Sequence, residues 1–372
     1  MKKELIGFFS VVTVLCLVFA GCASGSAAQA ASQPATASSS AAGPSSKDAG
    51  QKTRVFTDSA GRSVTVPSVI RSAAPSGPLA QIVLYTVAPD KLAGLASNFS
   101  ADAKKYIDQK YWSLPKFGQF YGKNASLNLE ALTAAAPDVI IDVGEAKKTI
   151  REDMDGLQKQ LNIPTVFIEA TLDDMDRAYT MLGDLLGESD RAAKLAQTCG
   201  QTIKNADEIA SGIPQNQRIR VYMATGDAGL NTNAAGSIHA DVLERVGAVN
   251  VANVQAVSSG GGSEISFEQL LSWNPDVILA DSEKLYQRIT SDSAWASLKA
   301  VKDGKVYRIP STPYSFLGNP PSVNRVVGID WLGNLLYPDK YQMDLKKKIC
   351  DFYSQFYSIS LTDEQFASIM QP

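Results

Sequence analysis

Apolar and polar positions alternate in a way that repeats once along this chain. Leu129-Glu130-Ala131-Leu132 runs through Pro137-Asp138 into Val139-Ile140-Ile141, and Phe267-Glu268-Gln269-Leu270 runs through Pro275-Asp276 into Val277-Ile278-Leu279. Glu130 and Glu268 stand 138 positions apart, as do the two Pro-Asp pairs. In each copy a polar residue, Asn128 or Ser266, suits the cap of a short helix that Pro-Asp ends, and the β-branched run that follows suits a buried parallel strand. Two such units at this separation predict two similar α/β lobes, each large enough for its own core.

The rest of the pattern fits that frame. Alternation over 54–66 around Asp58-Ser59-Ala60-Gly61 predicts a hairpin. Strands at 72–74, 92–95 and 165–168 then alternate with helical periodicity at 79–87, 101–109 and 149–161. From 172 to about 209 the pattern is helical with no strand, interrupted at Gly187 and Gly200. A second series follows, with strands at 218–224, 277–280 and 306–309, helices at 238–246 and 267–273, and a helical tail at 322–336, 341–357 and 362–370. The expectation is an α/β protein: two lobes with parallel sheets, 53–171 and 213–372, joined by a long rigid helical region at 172–212.

The first residues change the picture of where this protein works. Lys2 and Lys3 precede an apolar segment at 6–19 that is short for a membrane span and ends in Phe19-Ala20-Gly21-Cys22. The tetrad resembles a bacterial lipobox, which implies cleavage after residue 21 and a lipid on Cys22; the alternative is an ordinary secretory signal cut elsewhere. Either reading sends the mature chain out of the cytosol. Residues 22–52 are mostly Ala, Ser, Gly and Pro, the composition of a flexible tether. Of the cysteines, Cys199 and Cys350 fall in the folded part, where two buried free thiols are expected slightly ahead of a disulfide.

A formal charge of −3 over 372 residues offers no basic footprint for nucleic acid, and that partner is excluded. The single His239 leaves too few imidazoles for a bare zinc or manganese site, so no metal ligands are assigned and His239 is expected to be structural. No nucleophile elbow or Cys–His pair is legible, and no catalytic residue or cofactor is assigned: the chain does not read as an enzyme. The glycine-rich run at 258–263 lacks the Lys of a phosphate loop and reads as a mobile loop.

Ligands of open α/β sheets bind beyond the carboxyl ends of the strands. Residues following the expected strands are therefore candidates: Ser76, Tyr121, Glu145, Asp227, Asn231, Tyr314 and Phe316, with Arg325 and the pair Lys147 and Lys148 available for an anionic ligand. The aromatic rings offer flat apolar surface and the hydroxyls and amides orient what lies on it.

The stretches "TDSAGRSVTVPS" at 57–68, "LNLEALTAAAPDVII" at 127–141, "ISFEQLLSWNPDVIL" at 265–279, "IHADVLERVGAVNVA" at 238–252 and "DGKVYRIP" at 303–310 are, in this order, similar to the substrate-binding proteins of ABC importers for iron–siderophores, haem and cobalamin. The resemblance implies a monomeric, extracytoplasmic binding protein that captures a metal chelate between two lobes and docks on a membrane permease with its ATPase. It implies that Glu130 and Glu268, one per lobe, pair with basic permease residues. A ferric siderophore is the first expectation for the cargo, with haem or a corrinoid as the alternative.

Overall fold

A computed structural model describes residues 52–122, 124–256, 262–318 and 320–371. The expected signal segment, Cys22 and the tether up to residue 51 lie outside the described residues, as does most of the 258–263 run.

Strands Thr53–Thr57 and Ser63–Pro67 pair antiparallel, as the alternation predicts. The turn between them is held by one carboxylate. Asp58 accepts the backbone N–H groups of Ala60 and Arg62 and forms a buried ion pair with the Arg62 guanidinium at 2.8 Å. It also accepts the Phe167 N–H at 3.2 Å, which fastens the hairpin to the first sheet.

That sheet is parallel in the order Ala73–Pro75, Val139–Gly144, Thr165–Glu169. The 92–95 segment reaches it only through the single bridge of Ala73 to Leu92, rather than as a strand, and Leu95 bridges on to Lys116. The 101–109 helical pattern is two short 3-10 turns, Ala103–Tyr106 and Gln109–Tyr111. The second sheet, also parallel, runs Val306–Arg308, Val277–Ala280, Arg220–Ala224, Val249–Asn250.

The two copies of the repeat are the same structure down to single hydrogen bonds. Asn128 caps helix Leu129–Ala135 by accepting the Ala131 N–H at 3.0 Å, and Ser266 caps Phe267–Trp273 by accepting the Gln269 N–H at 3.1 Å. Each helix ends on a left-handed residue, Ala136 at φ 43° and Asn274 at φ 42°, and the proline after it prevents continuation. The aspartates then align the sheets. Asp138 accepts the Arg71 N–H at 2.7 Å and Asp276 accepts the Arg220 N–H at 3.1 Å, so each ties the start of its strand to the chain beside it. Val139, Ile140 and Ile141 are wholly buried, and burying such side chains is worth about 1.5–3 kcal/mol each.

Residues 172–209 do not form one helix. Met175–Leu186 ends at Gly187, whose φ of 71° few other residues tolerate, and Ser189–Ser211 folds back along it. At Gly183 a Cβ would stand 2.5 Å from the Ala192 Cβ, so the glycine sets how closely the two helices approach. Gly200, expected to interrupt the pattern, lies inside the second helix. The bridging element is therefore Ser189–Ser211, 23 residues or about 35 Å long.

Each sheet has one face covered privately, by Leu132, Met154 and Leu157 in the first lobe and by Leu270, Leu285 and Ile289 in the second. The other faces share one core with the bridging helix and the tail helices, running from Val139 and Ile141 through Leu195 and Cys199 to Val221, Leu279 and Phe352. Separate lobe cores are thus only half of the arrangement. The tail crosses back as well: Tyr357 of helix Leu345–Tyr357 lies 6.1 Å from Tyr85 of helix Pro78–Val87. Cys199 is buried and Cys350 half-buried, and both are free thiols.

Candidate functional site

In the first lobe the site is built at the carboxyl ends of Ala73–Pro75 and Val139–Gly144. Ser76, buried, donates its hydroxyl to Asp142 Oδ1, and the Tyr121 hydroxyl donates to Asp142 Oδ2 at 2.7 Å. The loop bearing Tyr121 is fixed by the Phe120 N–H on the Ser76 carbonyl at 2.8 Å and by Gly118, where a Cβ would stand 2.2 Å from the Ser126 carbonyl oxygen. Burial pushes the Asp142 carboxyl up, opposed by its bonds from Ser76 and Tyr121 and by the Lys147 charge. The Tyr121 phenol is pushed far up by burial and by the Asp142 charge. Lys147 sits 5.8 Å over the Tyr121 ring, leaving one cation beside the half-buried aromatic face.

Arg325 opens helix Asn324–Leu336 in the second lobe and is 0% exposed. Its Nη1 donates to Asp241 at 3.0 Å and to the Ile238 carbonyl at 3.2 Å, and Nε donates to the Ser322 carbonyl at 3.3 Å. Nη2 has no partner among the described residues, and neither has the buried hydroxyl of Ser237, next in sequence to Ile238. Burial pulls the guanidinium down to about 10 against the pull of Asp241, Asp173 and Glu145. Glu145 belongs to the first lobe and Asp173 to the segment that follows it, so Arg325 feels charge from across the lobe junction. Glu145 itself is exposed.

Tyr314 is half-buried, and Gln81 of the first-lobe helix hydrogen-bonds its hydroxyl, so this residue joins the lobes. Phe316 is a correction to the sequence reading. It is wholly buried in the shared core, and its carbonyl packs so tightly on Gly328 that a Cβ there would stand 1.8 Å away; it cannot face a ligand. Asp227 and Asn231 sit elsewhere, on the turn after Arg220–Ala224. Asp227 is exposed and pairs with Lys284 at 3.0 Å beside a cavity of about 360 Å3, while Asn231 is half-buried and pairs through its backbone with Thr225. His239 Nδ1 bonds the Gly318 carbonyl, which ties two second-lobe loops together.

Sequence reasoning passed over Asp142, Gln81 and Ser237. Asp142 carried a signal: a lone carboxylate inside the apolar run Val139-Ile140-Ile141-Asp142-Val143 needs buried donors. The other two look like ordinary polar residues in sequence. Glu130 and Glu268 are both exposed in the first turns of their helices, and the Glu268 carboxyl is held below its usual range by its own backbone N–H and by Ser266.

The periplasmic binding protein family matches residues 83–313. The molybdate-binding protein MolA of Haemophilus influenzae is 28% identical over 84% of this chain and 93% of its own, and the haem uptake protein IsdE of Staphylococcus aureus is 25% identical over 63% and 79%. A solved ABC transporter solute-binding protein from Sulfurospirillum deleyianum superposes with a TM-score of 0.79 at 28% identity, covering 86% of this chain and 99% of the other. MolA bound to molybdate superposes with a TM-score of 0.67 at 25% identity, covering 83% and 99%. The duplicated lobes, the parallel sheets and these likenesses agree: the chain belongs to the periplasmic binding protein family, the extracytoplasmic substrate-binding components of ABC importers.

Proposed function

We propose that this chain captures a small metal oxyanion of the molybdate type between its lobes and presents it to an ABC permease. The observation that carries the reading is the Arg325 guanidinium, wholly buried with Nη2 unpartnered among the described residues. A buried cation with a free N–H is costly unless an acceptor arrives, and a tetrahedral oxyanion supplies charge and acceptors together. Ser237, next in sequence to the Ile238 whose carbonyl Arg325 bonds, offers a second hydroxyl without a partner among the described residues. MolA, named for molybdate, aligns over most of the chain.

A ferric siderophore, expected first from the sequence, becomes the second reading. Burial of Phe316 removes one of three aromatic rings on which that expectation rested, while Tyr121 with Lys147 over its ring still favours it. Haem or a corrinoid draws on the same surface. Calorimetric titration of the purified protein with molybdate, tungstate, sulfate, a ferric hydroxamate, haem and cobalamin separates these. Saturable molybdate binding that is weakened in Arg325→Lys supports the proposal. Tight hydroxamate binding, or a Soret band, with molybdate inert would overturn it.

The lipid on Cys22 belongs to the same proposal, supported by the tetrad ending there. Mass spectrometry of the membrane fraction is expected to find the mature chain starting at a lipid-modified Cys22. A soluble form cut at another residue would exclude the anchor.

A further inference from the structure

We propose a second ligand site, away from the cleft, in which Asp330 and Tyr341 hold a small organic cation bearing an ammonium group. It lies between the bridging helix Ser189–Ser211 and helix Asn324–Leu336. A cavity of about 470 Å3 there is lined by Thr202, Asn205, Ile209, Asp330, Tyr341 and Met343 among others. A second cavity, of about 250 Å3, shares Thr202, Asn205 and Asp330 with it, so the carboxylate borders open space on both sides.

Among the described residues, one polar group in this wall has no partner and a second has only a distant one. Tyr341 is 2% exposed and its hydroxyl is buried with no hydrogen bond among the described residues. Asp330 is 8% exposed and accepts no hydrogen bond among the described residues; its nearest cation, Lys348, stands 4.0 Å off on a side chain that is 43% exposed. A buried carboxylate without a hydrogen-bond donor and a buried hydroxyl without a partner each lower stability until a ligand supplies the missing contact. The position of Tyr341 is specified by the sequence as well. At Gly333 a Cβ would fall 2.3 Å from the Tyr341 ring, so the helix interior carries a glycine, a poorer helix former than alanine, where the ring lies against it.

The chemistry of the wall selects the ligand. A carboxylate paired only at 4.0 Å with an exposed Lys takes up a charged N–H donor better than a neutral one, the free phenol adds a second polar contact, and Ile209 and Met343 suit an alkyl stem. A divalent metal would need several carboxylates, and among the described residues no three His, Cys, Asp or Glu side chains are grouped to hold one. Burial pushes the Asp330 carboxyl up to about 6, so at neutral pH it is mostly charged and ready for a cation. Lys340 and Lys348 stand at the same cavity against Glu208 and Asp330, so its charged side chains balance. Asp330 also follows Arg325 by five residues, about 140° round the same helix, so an occupant would brace the element that carries the cleft arginine from behind.

The test is calorimetry on the intact folded protein at neutral pH with putrescine and agmatine, and with 1,4-butanediol as the neutral probe. Both amines are expected to bind saturably at one site and the diol not at all. Asp330→Asn, checked for folding by circular dichroism, is expected to weaken amine binding at least roughly tenfold, and Tyr341→Phe severalfold. Arg325→Lys, which addresses the cleft, is expected to leave it unchanged, so failure of the oxyanion reading and failure of this one are distinguishable. Absence of saturable amine binding, equal binding of the diol, or an unaffected Asp330→Asn variant overturns the proposal.

Discussion

Tyr121 donates its hydroxyl to the Asp142 carboxylate at 2.7 Å, and with Ser76 it supplies the two side-chain hydrogen bonds that hold this buried group. Tyr121→Phe leaves one oxygen without its donor while keeping the ring. The expected outcome is a loss of roughly 1–3 kcal/mol in chemical denaturation together with weaker cargo binding. Asp142→Asn keeps the shape and removes the buried charge, so it should lose less stability at neutral pH than Tyr121→Phe. A Tyr121→Phe variant as stable as wild type would show that this network does not hold the charge.

Glu130 and Glu268 occupy matched first-turn positions, one per lobe, and both carboxylates are exposed. Neither contributes to the Asp142 or Arg325 clusters. Arg–carboxylate pairing is geometrically specific, so two fixed cations on a permease would read the spacing of these helices. Reversing both charges is expected to abolish uptake in whole cells while cargo affinity of the purified protein stays near wild type. An equal fall in affinity would place the two residues in capture rather than docking.

Much of the fold was legible because the repeat writes its own boundaries. Asn128 and Ser266 cap, Pro137 and Pro275 stop, and Asp138 and Asp276 align, each by local chemistry that spacing reveals. In the 172–209 region the interruption at Gly187 was legible and that at Gly200 was not real, but a glycine in a helical pattern does not say that the chain reverses, and the long rigid connection reduces to the second helix of the pair. The site was less legible than the fold. Ser76 and Tyr121 were found from their place after strands, yet the carboxylate they serve sits inside an otherwise apolar strand, where its one signal, a lone charge among buried residues, was passed over. Phe316 follows a strand too, and its burial comes from the close approach of Gly328, ten or more residues on and invisible to periodicity.

The shared core predicts a stiff molecule. Bending the lobes apart would expose the faces that pack on Ser189–Ser211 and on the tail helix crossing back to Tyr85. Small-angle scattering with and without bound cargo is expected to give nearly the same radius of gyration. Gly183→Val adds two methyls where even a Cβ meets Ala192 at 2.5 Å, and should lower stability by about 1–3 kcal/mol through separation of the helix pair. A large ligand-dependent contraction would mean that the core parts more easily than its packing implies.

Asp330 gives the sharpest pH dependence. Its carboxyl is raised from 3.8 to about 6, chiefly by burial with only Lys348 opposing, so the folded state binds this proton more tightly than the unfolded chain does. Stability from this group is therefore greatest below about pH 4, falls as pH rises toward about 6, and stays lowered above that, by about 3 kcal/mol at most. Asp330→Asn removes the titration while keeping the shape. The variant should be more stable than wild type at pH 7 by roughly 2–3 kcal/mol and nearly equal to it at about pH 4, read from urea midpoints across the range. An ammonium ligand bound beside Asp330 stabilises the charged form and should flatten the wild-type profile toward that of the variant. Parallel profiles for wild type and Asp330→Asn would mean that the carboxyl titrates as an ordinary surface acid and that its burial costs nothing.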